Sequence, residues 1–229
     1  RDASLLMGEP VKGPVKFLEN GITFEADCLH GQKTGFFLDQ RENRAEVGAR
    51  AQDKSVLNAF SFSGGFSLYA ARGGARSVTD VDISAHALKS SQRNWSLNSL
   101  QIDSRCQHHL IQANVFDWLR EEHSQRYDLI VLDPPSLAKK EADRPAALNA
   151  YSQLLGSALR HATPNALLVC CSCSAHVGAE DFFETIRDTL RQRRRDYKEL
   201  KTSREPLDHH AAFPEAEYLK AIYIQLVSD

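Results

Sequence analysis

Two hydrophobic periods alternate along this chain. Short β-branched runs with a two-residue repeat predict strands, and longer stretches with apolar residues every three or four positions predict helices. SVLNAF (55–60), SVTDVD (77–82), HLIQAN (109–114), YDLIVLD (127–133) and ALLVCCS (166–172) read as strands. ISAHALKSSQRNWSLNSL, VFDWLREEH, AALNAYSQLLGSALRHA and GAEDFFETIRDTLRQRRR read as the helices between them. Such alternation builds a mostly parallel sheet covered on both faces. Before it, VKFLENGITFEADCL (15–29) alternates polar and apolar on either side of Asn20-Gly21, a pair suited to a type I′ turn, and predicts a β-hairpin. A glycine-punctuated stretch and a charged helix follow, so the chain divides into a hairpin and lead-in segment, 1–45, and a main domain, 46–229. At the C-terminal end, 196–203 and 218–227 can pair as two final strands.

Composition narrows the class. With 229 residues, 42% hydrophobic and 25% charged, the chain suits one α/β domain with a small appendage. No uncharged run reaches the roughly 20 residues that span a bilayer, and the first residues do not read as a signal peptide, which points to a cytoplasmic protein. The net charge of −2 excludes a uniformly basic nucleic-acid binder but leaves room for a local patch. The densest basic run is RQRRR (191–195), at the end of a predicted helix, where cations also favour the macrodipole.

Candidate chemistry gathers where the strands end. The first strand runs into FSFSGGF, a glycine turn that lets a ligand approach the backbone before a helix N-terminus. Asp82 closes the next strand, 17 residues beyond Gly65, where an acid can accept both ribose hydroxyls or cap the following helix. Asn114 closes the third strand and Asp133 the fourth, in DLIVLDPPS. Ligands of open parallel sheets bind beyond the carboxyl ends of the strands, so these residues would face one crevice holding a nucleoside-containing cofactor. The two prolines after Asp133 stiffen the exit and hold the carboxylate there.

The run LLVCCSCS (167–174) raises a separate question. Five cysteines, three of them crowded together, do not form a disulfide framework. Cys170 and Cys173 have the spacing of one zinc pair, but no second pair accompanies them, so no metal site is expected. A redox CxxC usually opens a helix, whereas this one lies along a strand. Alternation puts Cys170 on one face and Cys171 and Cys173 on the other, with Cys173 at the strand tip.

HGQKTGFFLDQRENR (30–44), NAFSFSGGF, VDIS, DPPSLAKK and CSCS together resemble the bacterial 23S ribosomal RNA large subunit methyltransferase I family, over nearly all of residues 15–229. The resemblance implies a Rossmann-like class I S-adenosylmethionine (SAM) methyltransferase: a mostly parallel seven-stranded sheet of order 3-2-1-4-5-7-6 with an antiparallel last strand, preceded by the hairpin. It implies SAM as cofactor, held by Lys33, Asp39, Arg41, Phe60, Ser61, Ser63, Gly64, Gly65, Asp82, Ile83, Asn114, Val115, Asp133 and Pro134. Family members carry an acid where Asn114 stands, and an N-terminal PUA RNA-binding domain that this sequence lacks, through truncation or because this member is shorter.

By the same resemblance the activity is formation of 5-methylcytosine in ribosomal RNA, with Cys173 as nucleophile and Asp133 beside it. Carbon 5 of cytosine is a poor nucleophile; a thiolate adding at carbon 6 makes it enamine-like and able to accept a methyl group. Asp133 would hydrogen-bond the ring at N3 or its amino group, and a cationic methyl donor would help keep the thiol ionised. The partner is then RNA, with no membrane, and a homodimer is compatible with the sequence. The target base must be unpaired or flipped out, and Lys33, Arg41, Arg44, Lys139 and Lys140 are candidate phosphate contacts. A guanine-N7 RNA methyltransferase shares the GQKTGFFLDQR block and needs no cysteine; a silent RNA-binding scaffold is the alternative outside enzymes. The DPP motif and the missing GxGxxG disfavour a dehydrogenase.

Overall fold

The computed structural model describes residues 7–29, 35–209 and 216–227. Its hairpin pairs β1 (Val15–Glu19) with β2 (Ile22–Ala26) in antiparallel register. Asn20 and Gly21 both take positive φ, 49° and 81°, as the sequence implies. After α1 (Arg41–Ala49) come β3 (Ser55–Ala59), α2 (Gly65–Arg72), β4 (Ser77–Asp82), α3 (Ala85–Leu97), β5 (Gln107–Gln112), α4 (Val115–Arg120) and β6 (Tyr127–Leu132). Then follow α5 (Arg144–Ala158), β7 (Ala162–Ser172), α6 (Ala179–Gln192), β8 (Tyr197–Ser203) and β9 (Lys220–Leu226). The second sheet has the order β5-β4-β3-β6-β7-β9-β8. Neighbours from β5 to β7 are parallel, and β9 runs antiparallel to both β7 and β8.

Strand parity decides which side chains meet which helices. Val56, Val78, Leu129, Val131, Leu167, Val169 and Cys171 pack with residues of α1 and α2 on one face. Leu57, Val81, Ile130, Leu132, Leu168 and Cys170 pack with α4, α5 and α6 on the other. Cys170 and Cys171 therefore lie in opposite layers, both buried, as alternation requires. Burial pushes the Cys170 thiol up to about 12 and holds Cys171 well above the usual thiol range, which fits packing residues.

Several element ends differ from the sequence reading. β5 occupies Gln107–Gln112, so Asn114 does not close a strand; it caps α4, its Oδ1 accepting the Phe116 amide at 2.9 Å. β7 starts at Ala162 because that residue pairs with Tyr127 before a register shift, earlier than its apolar run suggests. α6 ends at Gln192, and Arg194 turns the chain at φ 52°, so the arginine run is a helix terminus followed by a turn. That terminus lies at the amino edge of the parallel strands, because α6 runs back from the tip of β7.

The hairpin is bound into the main domain by polar side chains of α3. Asn98 accepts the Thr23 amide at 2.9 Å and donates to the Thr23 carbonyl at 2.7 Å, as a neighbouring strand would. Asn94, one turn earlier, accepts the Glu25 amide at 2.8 Å and donates to the Ser63 carbonyl at 3.0 Å, tying the hairpin to the glycine turn. Beneath them Ile22, Phe24, Phe36, Leu68 and Tyr69 form a third core cluster. Glu19 and Arg44, both buried, make a bidentate pair at 2.9 and 2.6 Å, and Tyr69 adds a hydrogen bond to Glu19 at 3.0 Å. Arg44 is thus a structural ion-pair residue rather than a phosphate contact.

Candidate active site

The glycine turn leaves β3 through two left-handed phenylalanines, Phe60 at φ 62° and Phe62 at φ 47°. Such a backbone is uncommon outside glycine and is held here by hydrogen bonds. Val81 accepts the Phe60 and Ser61 amides at 2.9 and 3.2 Å, and Asp82 Oδ2 accepts the Phe62 amide at 2.9 Å. Gly64 has φ 78°, and a Cβ there would collide with the Ser91 hydroxyl; a Cβ on Gly65 would meet Arg44 Cδ at 2.9 Å. These two glycines are required by close approach, not only by the turn.

Beyond the strand tips lies a cavity of about 330 Å³, a size suited to a small-molecule ligand. Its wall includes Phe37, Asp39, Phe60, Phe62, Asp82, Ile83, Asp133, Pro134, Cys173 and Tyr218. Ser61, Ser63 and Gly65 line a smaller adjoining recess that shares Phe60 and Asp133 with it. The expected set Phe60, Ser61, Ser63, Gly65, Asp82, Ile83, Asp39, Asp133, Pro134 and Cys173 is therefore brought together. Gly64 shapes the turn behind it. Asn114 and Val115 line neither space: the Asn114 carbonyl oxygen is engaged in capping and Val115 is buried in the core. Arg41 pairs at 2.9 Å with Asp208 and with Glu42, and Lys33 lies outside the described residues.

Asp82 does not cap α3. Ser84 does, its hydroxyl accepting the Ala87 amide at 3.2 Å, while Asp82 Oδ1 accepts the Ser84 amide at 2.8 Å. Each Asp82 oxygen thus holds one backbone amide and retains capacity for another donor. On the cavity wall Asp39 accepts the Tyr218 hydroxyl at 2.7 Å through Oδ2, while its buried Oδ1 and the Ser61 hydroxyl have no hydrogen-bond partner among the described residues. Asp39 and Ser61 line the cavity and its adjoining recess respectively, so each space has a polar atom without a protein partner beside it.

Asp133 is the most perturbed acid of the site. Removal from water, and then the nearby Asp39 charge, push its carboxyl up to about 7, against the opposing pull of Arg44 and of Gln40, whose amide donates to it at 3.0 Å. Gln40 is itself fixed by Asn43 at 2.6 Å. The group can therefore either donate or accept a proton near neutral pH.

Cys173 stands one residue past β7, its Sγ 3.9 Å from the Pro134 carbonyl oxygen. The serines beside it are buried fasteners. The Ser174 hydroxyl accepts the Leu137 amide at 2.9 Å, and Tyr151 donates at 2.8 Å to Ser172 and shares a 3.0 Å hydrogen bond with Ser174. The SCS turn is thus locked to the loop after DPP. Sequence reasoning missed Tyr151, Ser174, Gln40 and Tyr218, whose partners lie far along the chain; only the serine repeat around Cys173 offered a signal.

A sheet of this order, with a glycine turn after β3 and acids at the tips of β4 and β6, defines the class as a SAM methyltransferase fold. The chain belongs to the S-adenosylmethionine-dependent methyltransferase family, which matches residues 2–219 and whose cofactor is SAM. It is 51% identical over 227 residues to the ribosomal RNA large subunit methyltransferase of Deinococcus radiodurans, covering 98% of this chain and 55% of that protein. It is 37% identical over 222 residues to ribosomal RNA large subunit methyltransferase I of Shewanella denitrificans, covering 95% and 55%. The chain spans about half the length of these curated relatives. Among solved structures, a protein assigned as a SAM-dependent methyltransferase from Streptococcus mutans superimposes with a TM-score of 0.82 at 28% identity, over 96% of this chain and 57% of that one. Another, solved with SAH, gives 0.82 and 28% over 96% and 58%. Among the described residues no helix is long and apolar enough to cross a membrane, and no three metal-ligating side chains converge.

Proposed function

We propose that this chain is the catalytic part of an RNA methyltransferase that forms 5-methylcytosine in large subunit ribosomal RNA through a covalent adduct at Cys173. The observation that carries the reading is the placement of Cys173 and a carboxyl of raised proton affinity on one wall of the cavity that also holds Asp82. The names of the relatives support the RNA class.

SAM, when bound, supplies an electrophilic methyl group. Asp82 would accept the ribose hydroxyls, with Phe60 and Ile83 flanking the adenine. Ser61, Ser63 and the Gly64-Gly65 backbone would receive the amino-acid end, with the second oxygen of Asp39 taking its ammonium. Pro134 keeps the chain rigid between Asp133 and Cys173.

Cys173 adds through its thiolate to carbon 6 of a cytosine that has left its helix. Protonated Asp133 donates to N3 and draws charge out of the ring as the carbon–sulfur bond forms. After methylation a base removes the carbon 5 proton, the carbon 5–carbon 6 double bond returns and the sulfur leaves. Phe37, Phe62 and Tyr218 on the cavity wall offer stacking surface.

The test is methyl transfer from labelled SAM to ribosomal RNA by Cys173→Ala, with nucleoside mass spectrometry of the product. Loss of 5-methylcytosine with SAM binding intact is expected. Undiminished transfer would overturn the cysteine mechanism, and a 7-methylguanosine product would replace it with the guanine-N7 activity.

A further inference from the structure

Lys220 opens β9 and is only 2% exposed. Its ammonium donates to the carbonyl oxygens of Ser174 at 2.7 Å and Val177 at 2.6 Å, so it bridges the turn that begins immediately after Cys173. Glu205, an acid close enough to act on Lys220 electrostatically, is engaged by the Leu219 amide at 2.6 Å. Two neutral carbonyls would be served as well by a neutral donor, which would avoid burying a charge. A buried ammonium is therefore informative where a neighbouring group must become an anion.

Cys173 is that neighbour. The groups around it come from every element at this corner: Asp133 after β6, Asp39 before α1, Tyr151 on α5, Cys171 on β7, Tyr218 and Lys220 at the start of β9, and Glu205 and Arg204 after β8. Asp133, Asp39 and Glu205 oppose a thiolate when ionised. Arg204 is exposed and paired with Glu180 at 3.4 Å. Among the described residues Lys220 is the buried cation of this cluster.

We propose that Lys220 is a positioning residue for the Cys173 nucleophile, fixing the Ser174–Val177 turn through its two hydrogen bonds and supplying the buried positive charge that favours the thiolate. The inference rests on the reading of Cys173 as the nucleophile. Burial lowers the Lys220 ammonium to about 8 against the opposing charge first of Glu205 and then of a Cys173 thiolate, so the ammonium and the thiolate favour each other. The assistance is present at neutral pH and fades as Lys220 loses its proton above about pH 8.

The experiment is site-resolved alkylation of Cys173 by iodoacetamide across pH 5 to 10, read by peptide mass spectrometry in wild type, Lys220→Met and Lys220→Gln. The exposed Cys28 serves as the internal reference, and protection of the buried Cys170 and Cys171 reports an intact fold. Both variants should move the Cys173 midpoint up by about one pH unit, roughly a tenfold slower reaction at pH 7, while Cys28 is unchanged. Gln retains a donor without the charge, so a wild-type midpoint in Lys220→Gln would overturn the electrostatic role. Where a variant fails to fold, wild type alone decides: a Cys173 midpoint no lower than that of Cys28 overturns the proposal. This readout needs no RNA. Unshifted alkylation with inactive Cys173→Ala removes the Lys220 role alone; shifted alkylation with active Cys173→Ala removes the cysteine mechanism alone.

Discussion

Asp80 and Asp82 lie two residues apart on one face of β4, yet they belong to different regimes. Asp80 is fully buried and receives side-chain donors from every neighbour: Ser67 of α2, Ser91 of α3, Asn58 of β3 at 3.2 Å and His108 of β5 at 2.9 Å. His108 is in turn stacked on Trp95 at 4.0 Å. Asp82 stands at the strand tip, half-buried, and each of its oxygens accepts a single backbone amide. A carboxylate saturated by fixed side chains is part of the scaffold; one held by backbone alone keeps lone pairs for a ligand.

That contrast can be broken experimentally. Asp80→Ala should be the most damaging change, costing about 3–5 kcal/mol in urea unfolding because it leaves a buried donor cluster without its acceptor. Asp82→Ala should cost about 1 kcal/mol of stability but weaken SAM by about 2 kcal/mol, roughly thirtyfold, in titration calorimetry. Equal stability losses with unchanged SAM affinity would erase the distinction. Asp133→Asn sharpens it from the opposite direction. Asp133 binds its proton more tightly in the folded than in the unfolded chain, so wild-type stability falls as pH rises from about 4 to about 7 and is level above. Asn does not titrate and preserves the acceptor for Gln40, so the variant should be more stable by about 1.5 kcal/mol at pH 8 and no more stable below pH 4, while losing methyl transfer. Thermal melts at the two pH values check the sign.

Much of this architecture was legible in the sequence because it is local. Alternation separated Cys170 from Cys171, Asn20-Gly21 marked the hairpin, and the tips of β4 and β6 carried their acids into one crevice. The errors arose where side chains replace backbone. Asn114 looked like a strand end because it follows the short apolar run at Leu110-Ile111, but its amide oxygen serves a helix start. Arg44 looked like a surface cation because Glu19, its partner, is 25 positions away in another element. Lys220 and Ser174 had no readable role, since 46 residues separate the lysine from the carbonyl that it holds.

The asparagine pair of α3 has a consequence for assembly. A two-stranded sheet normally offers two rows of unpaired amides to passing chains, and either row can recruit a further strand. Asn94 and Asn98 occupy backbone groups of Thr23 and Glu25 along β2, so that border is closed by side chains alone. Any strand that joins this small sheet must enter along β1, which makes its growth one-sided.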